Sequence, residues 1–197
     1  MSVLKDLIRI IYEANGKEAK AVKLNEIFGR RKVEEALNRI SEGDMTGLTA
    51  LYDSLGKQIF ALVFSIVKNY PDSEDAMQET FARVTEKINT YRKDGNGRAW
   101  IMSIARNIAI DTLRNKKQTV EIESLDYIPD EGDFTKAAEI NDLLANLEDK
   151  DRDIVILKAV NGFKFKEICE IVELSQAATE KRYRRALAKL KNIYNKE

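Results

Sequence analysis

The sequence predicts an all-α fold of two helical modules joined by an acidic linker, with a helical extension at the amino end. Three observations point there. Two prolines and nine glycines in 197 residues are too few for the turns of a strand-rich fold. Apolar residues recur at i, i+3, i+4 and i+7 over most of the chain. The net charge is zero, yet its signs separate along the chain. Residues 118–142 hold Glu121, Glu123, Asp126, Asp130, Glu131, Asp133, Glu139 and Asp142 against Lys136 alone. From Lys181 onward, Arg182, Arg184, Arg185, Lys189, Lys191 and Lys196 face only Glu197.

In chain order, residues 1–32 form the extension: Leu4, Leu7, Ile8 and Ile11 repeat at helical spacing, Asn15-Gly16 supplies a stop, and a second short helix carries Leu24, Ile27 and Phe28. Residues 33–117 form the first module. Gly43-Asp44 opens a helix with Leu48, Leu51, Tyr52 and Leu55 that continues through Ile59, Leu62, Val63 and Ile66, and Tyr70-Pro71-Asp72 ends it. Asp72, with Asp75 three residues on, makes a capping-box-like start for the next helix, whose Met77, Phe81, Val84 and Ile88 form one buried stripe. A polar loop spans 91–97, and a last helix runs from about 99 to 115.

Residues 118–139, with Pro129 and Gly132 and little periodicity, read as the linker. Residues 140–197 form the second module. It begins with a helix near 143–147, followed by a nearly all-apolar helix over 151–160 that Asn161-Gly162 stops. Helices over about 164–172 and 175–195 complete it.

Composition also excludes. Cys169 is the entire cysteine supply, so neither a disulfide nor a cysteine-based zinc site can be built within the chain. There is no histidine, which removes the Ser-His-Asp and Cys-His arrangements, and Gly56-Lys57-Gln58 lacks the remaining residues of a phosphate loop. No enzymatic activity, metal or cofactor is therefore expected. The first residues carry Lys5, Asp6 and Arg9 and lack a secretory pattern. No stretch reaches the roughly 20 apolar residues of a membrane span, so a cytoplasmic chain without a membrane segment is expected.

Two constellations suggest chemistry. Phe165, Ile168, Cys169 and Val172 bury one face of a short helix, a turn follows at Glu173-Leu174, and Ser175 caps a helix whose inward stripe is Thr179, Tyr183, Ala186 and Leu190. That is the outline of a helix-turn-helix, in which the second helix enters a major groove. Gln176, Ala177 and Lys181, near its start, suit base edges, while Arg182, Arg184 and Arg185 suit phosphates. A solvated basic helix has the same composition.

The other constellation surrounds Trp100. Ile101, Ile104, Ala105 and Ile108 make the apolar face of its helix, whereas Ser103, Asn107, Asp111 and Arg114 follow another. A tryptophan beside a polar stripe and a glycine-containing loop suits an unstacked base, although geometry alone favours a core tryptophan. On the preceding helix Asp75, Gln78, Glu79 and Glu86 make an acidic face, fit for a basic protein partner or for water.

Taken together, Gly43-Asp44 with Leu48 through Tyr52, Asp75-Ala-Met-Gln78-Glu79-Thr-Phe81, Arg98-Ala-Trp100-Ile-Met-Ser-Ile-Ala-Arg-Asn107 and the helix-turn-helix up to Leu190 closely resemble an extracytoplasmic-function (ECF) sigma factor of the sigma-seventy family. The resemblance covers about residues 33–191. It implies an alternative sigma factor that binds core RNA polymerase, recognises the minus 35 and minus 10 promoter elements and helps open the DNA. Residues 33–117 would be a sigma-2-like domain and 140–197 a sigma-4-like domain.

By the same resemblance, Asp75, Gln78, Glu79, Phe81 and Arg83 grip the polymerase. Arg92, Arg98, Trp100, Arg106, Asn107, Asp111 and Arg114 serve the minus 10 element, and Ser175, Gln176, Ala177, Lys181, Arg182, Arg184 and Arg185 serve the minus 35 element. The acidic linker corresponds to a segment threaded toward the polymerase active centre. An anti-sigma factor is a further partner the class admits. Two departures are Glu173, where relatives carry a small residue in the turn, and Thr179 at a commonly apolar position. The alternative is a helix-turn-helix regulator acting without core polymerase, which leaves residues 75–81 and the Trp100 helix unexplained.

Overall fold

The computed structural model describes residues 19–92, 95–119 and 144–194. The described elements are helical: α1 (Ala19–Ser41), α2 (Thr46–Val67), α3 (Tyr70–Lys87) with a single 3-10 turn at Ile88–Thr90, α4 (Gly97–Thr119), α5 (Asp149–Val155), α6 (Phe165–Val172) and α7 (Gln176–Tyr194). Helices α1 to α4 pack as one bundle and α5 to α7 as a smaller unit. The expected stripe of residues 4–11 and most of the acidic linker, 120–139, lie outside the described residues.

Helix α1 differs from the short helix expected around Leu24 to Phe28, because it continues unbroken past residue 32. The reason is the register of Val33, Ala36, Leu37 and Ile40, which bury one face against the bundle and draw the preceding turns into the same helix. A lone glycine, Gly29, does not interrupt it. The turn into α2 is secured by Asp44, whose carboxylate accepts the Thr46 N–H at 2.9 Å and the Thr46 hydroxyl at 2.7 Å. Those two hydrogen bonds hold the Asp44 carboxyl below the usual aspartate value. At the second residue of α2, a Cβ on Gly47 would sit 2.4 Å from the carbonyl oxygen of Ala36, so α1 and α2 cross at a contact only glycine permits.

By length and composition alone α2 would pass for a membrane-crossing helix, but its apolar residues have another use. Its Leu51, Leu55, Ile59, Leu62 and Val63 are at most 2% exposed and are spent on the bundle core. Truncating one of these to alanine costs about 2–5 kcal/mol. Asn69, rather than Asp72, caps α3: its side chain accepts the Asp72 N–H at 3.1 Å, and Pro71 falls in the first turn, where a missing N–H leaves nothing unpaired. Met77, Phe81 and Val84 are buried as expected, whereas Ile88, the fourth of that stripe, is only partly buried and starts the 3-10 turn.

In the smaller unit the apolar run after Asp151 leaves α geometry at Ile156–Val160, which forms a π turn. Asn161-Gly162 ends it as expected, with Gly162 at φ +71°. Glu167 accepts the N–H of Lys164 at 2.7 Å and starts α6. Ser175 starts α7 by accepting the Ala178 N–H at 3.3 Å. The turn between these helices passes through Glu173 at φ +55°, a left-handed conformation that side chains resist. Thr179 is fully buried and donates its hydroxyl to the Ser175 carbonyl at 3.0 Å, so a polar residue on the inward stripe leaves no unpaired donor.

Candidate nucleic-acid interface

The start of α4 and the loop before it form a cleft of about 330 Å³, lined by Tyr91, Arg92, Asn96, Trp100, Ser103 and Glu170 among others. The rings of Tyr91 and Trp100 lie 4.9 Å apart and tilted by 38°. Trp100 is half-buried, one part resting on the core and another forming the cleft wall. Both ends of the loop are held by Glu34 of α1. One carboxylate oxygen accepts the Tyr91 hydroxyl at 2.6 Å and the other accepts the Gly97 N–H at 2.9 Å. Sequence reasoning missed Glu34, since nothing in its neighbourhood marks it off from other helix-surface acids.

The residues expected at the minus 10 element divide. Arg92, Asn107, Asp111 and Arg114 are exposed, with Arg114 paired to Asp111 at 3.6 Å. Arg98 and Arg106, each 8% exposed, instead face the smaller unit. Arg98 donates to the Gln58 side chain and to the Asn161 carbonyl, both at 3.0 Å, and its guanidinium lies 4.6 Å from the centre of the Phe163 ring. Arg106 donates to Asp153 at 2.8 Å. Burial pushes the Asp153 carboxyl above its ordinary value, against the pull of Arg106 and Arg152. In this arrangement neither arginine presents its charge to solvent.

Helix α7 also sorts its cations by face. Ser175, Gln176, Ala177, Lys181 and Arg184 are exposed, as the helix-turn-helix outline expects. Arg182 and Arg185 converge on buried Asp151, each at 2.7 Å, and both reach Glu148. Hydrogen bonds to Asp151 raise the pKa of both guanidinium groups. These two arginines, expected at phosphates, brace α7 on α5. The clue lay in Glu148 and Asp151, but which cations meet them depends on how the helices fold back.

On α3 the side chains of Asp75, Gln78 and Glu79 are exposed. Arg83 pairs with Glu79 at 3.0 Å and Glu86 at 3.4 Å. Phe81 is only 6% exposed and is covered by Tyr52, ring to ring at 5.5 Å. Tyr52, 54% exposed, is therefore the aromatic surface of that face. Sequence reasoning assigned it to the helix's apolar pattern and missed its exposure.

Both modules have counterparts among known proteins. The family described as Sigma-70 region 2 matches residues 51–119, and that described as Sigma-70, region 4 matches residues 137–190. The chain is 26% identical over 156 residues to the ECF RNA polymerase sigma factor SigX of Bacillus subtilis, spanning 72% of this chain and 80% of SigX. It is 23% identical over 177 residues to SigK of Mycobacterium sp. (strain KMS), spanning 84% and 92%. Among solved structures, CnrH in complex with the cytosolic domain of CnrY superimposes with a TM-score of 0.69 at 21% identity, covering 83% of this chain and 97% of that one. The sigma factor RpoE of Bartonella quintana, in complex with the anti-sigma factor NepR, gives 0.60 at 22% identity, covering 70% and 89%.

Proposed function

Because the chain belongs to the sigma-70 family of RNA polymerase sigma factors, in its extracytoplasmic-function class, we propose that its two modules divide the reading of one promoter between them. Core RNA polymerase and promoter DNA are its partners. The observation that carries the division of labour is the pairing, in one chain, of an aromatic cleft on α4 with an exposed polar and basic face at the start of α7.

The cleft suits a base taken out of the stack. Unstacking costs a few kcal/mol, and stacking on an aromatic ring returns about 1–3 kcal/mol per base, so Tyr91 and Trp100 can offset most of the cost for a base that fits. Asn107, Asp111 and Arg114 continue that surface along α4. At the other end Gln176, Ala177 and Lys181 face the base edges of the minus 35 element, and Arg184 lies toward phosphate. Arg182 and Arg185 hold α7 to α5 through Asp151.

The exposed Asp75, Gln78 and Glu79 of α3, with Tyr52 over Phe81, form the surface for the polymerase. The chain supplies binding only; nucleotide chemistry belongs to the polymerase, and the protein works in the cytoplasm beside it. The complexes of CnrH with CnrY and of RpoE with NepR support an anti-sigma partner for this chain as well.

The test is reconstitution. The purified chain is added to core polymerase with genomic DNA of its own organism, and the transcripts are sequenced. Discrete start sites sharing two upstream motifs are expected; transcription no different from core alone overturns the proposal. Asn107→Ala is expected to impair opening of duplex promoter while sparing polymerase binding, and a premelted template to restore initiation. Equal loss on both templates would remove Asn107 from strand opening.

A further inference from the structure

The basic run Arg30-Arg31-Lys32 on α1 takes no part in the promoter contacts assigned above, and it lies outside both stretches that the sigma-70 families match. All three side chains are exposed. Arg30 is the one directed at the Trp100 cleft. It donates to Glu167 Oε1 of α6 at 2.5 Å, and Asn96, which lines the cleft, donates its side-chain amide to the same oxygen at 2.7 Å. Two donors from different elements therefore converge on one anionic oxygen at the edge of the cleft.

Both donors are held from behind. Helix α1 is anchored by Val33, Ala36 and Leu37, each 1% exposed. One turn after Arg30, Glu34 grips Tyr91 and Gly97 at the two ends of the loop, which fixes Arg30 relative to the cleft. The side-chain oxygen of Asn96 accepts the Ala99 N–H at 3.4 Å, leaving its amide nitrogen for the anion.

We propose that Arg30 and Asn96 form a phosphate site on the path of the melted strand, holding the phosphate next to the base captured in the Trp100 cleft. This rests on the promoter-reading function above and adds to it a contact from the helical extension. The first argument is chemical. A carboxylate oxygen and a phosphate oxygen are both anionic acceptors, and a guanidinium fork fits either. The Glu167 oxygen thus marks where a phosphate oxygen of the strand would lie, and the amino end of α4 adds its partial positive charge there.

The second argument is the supply of cations. Arg98 and Arg106 are 8% exposed and directed at the smaller unit, and Arg114 pairs with Asp111. Arg92, on the cleft wall, and Arg30, at its edge, keep exposed side chains. A captured nucleotide is flanked by a phosphate on each side of its sugar, so two cations beside one cleft match what it offers. Glu170, also on the wall, repels the backbone and makes such cations more necessary.

The test uses the chain bound to core polymerase. The probe is a fluorescent single-stranded oligonucleotide carrying the non-template strand of a promoter identified by the transcript sequencing above. Arg30→Ala is expected to weaken binding about tenfold and to reduce the salt slope by about 0.7, the share of one single-strand phosphate. Arg39→Ala removes the same charge from α1 at a residue paired with Glu35, and should change neither. Glu167→Gln removes the paired carboxylate, leaves Arg30 charged and should not weaken binding. In probes with one phosphate at a time replaced by a neutral methylphosphonate, one position beside the captured base should weaken binding of the parent about tenfold and of Arg30→Ala hardly at all.

Equal losses in Arg30→Ala and Arg39→Ala, a loss in Glu167→Gln as large as in Arg30→Ala, or no phosphate whose effect depends on Arg30 overturns the phosphate site and leaves the promoter-reading function standing. If the parent chain with core polymerase does not bind the unmodified probe, the functional reading fails and the inference with it.

Discussion

Arg106 and Asp153, 47 residues apart in sequence, meet at 2.8 Å across the seam between α4 and α5, with both side chains almost wholly buried. An ion pair in that setting adds little net stability, because desolvating two charges consumes most of their attraction. Removing one partner alone is a different matter. Asp153→Ala should destabilise the chain by about 3–5 kcal/mol, whereas the double variant Arg106→Met with Asp153→Leu should be close to neutral. Chemical denaturation of the three proteins checks this, and a double variant as unstable as the single one would contradict it.

A second prediction concerns the single tryptophan. A Cβ on Gly97 would lie 2.5 Å from Leu37 Cδ1 and 2.9 Å from a carboxylate oxygen of Glu34. Gly97→Ala should cost about 1–3 kcal/mol and disturb the Glu34 grip on both loop ends. Trp100 is the only tryptophan, so its fluorescence reports the change directly. An emission spectrum and melting curve matching the parent protein would show that the loop absorbs the methyl group without cost.

Glu173 offers a stabilising change. It turns the chain between α6 and α7 at φ +55°, where a side chain meets the following carbonyl oxygen. Glu173→Gly should raise stability by about 1 kcal/mol. A lower melting temperature would show that the glutamate makes an interaction worth more than the strain.

The sorting of cations on α7 predicts different behaviour for neighbouring residues. Arg184→Ala should reduce the salt dependence of promoter binding by about one unit of slope and leave stability unchanged, because Arg184 is exposed. Arg182→Ala should lower stability by loosening α7 from Asp151, with a smaller effect on the slope. Titrations at several salt concentrations, paired with melting curves, separate the two. Identical profiles would mean that the brace does not distinguish them.

Charge reversal at Asp75 and Glu79 should weaken association with core polymerase by at least tenfold, since both are exposed on α3. Binding of the variant to single-stranded promoter DNA should be unaffected. Unchanged affinity for core would move the polymerase contact to another face.

The local physics of the chain was legible from residue order alone. Spacing of apolar residues located α2, α3, α4, α6 and α7, because one helical face must be buried whatever it meets, and Ser175 marked the start of α7 through its side-chain oxygen. Chemistry at the surface was legible to the same degree: Gln176, Lys181 and Arg184 are exposed because the apolar stripe on the other side of their helix is occupied. What residue order could not show is which charges find each other. Arg98, Arg106, Arg182 and Arg185 look like DNA contacts in a linear reading, and only the folding of distant helices onto α4 and α5 supplied Asn161, Asp153 and Asp151 as their partners. An ion pair depends on a few ångströms of separation, and in pairs tens of residues apart that separation is decided by packing.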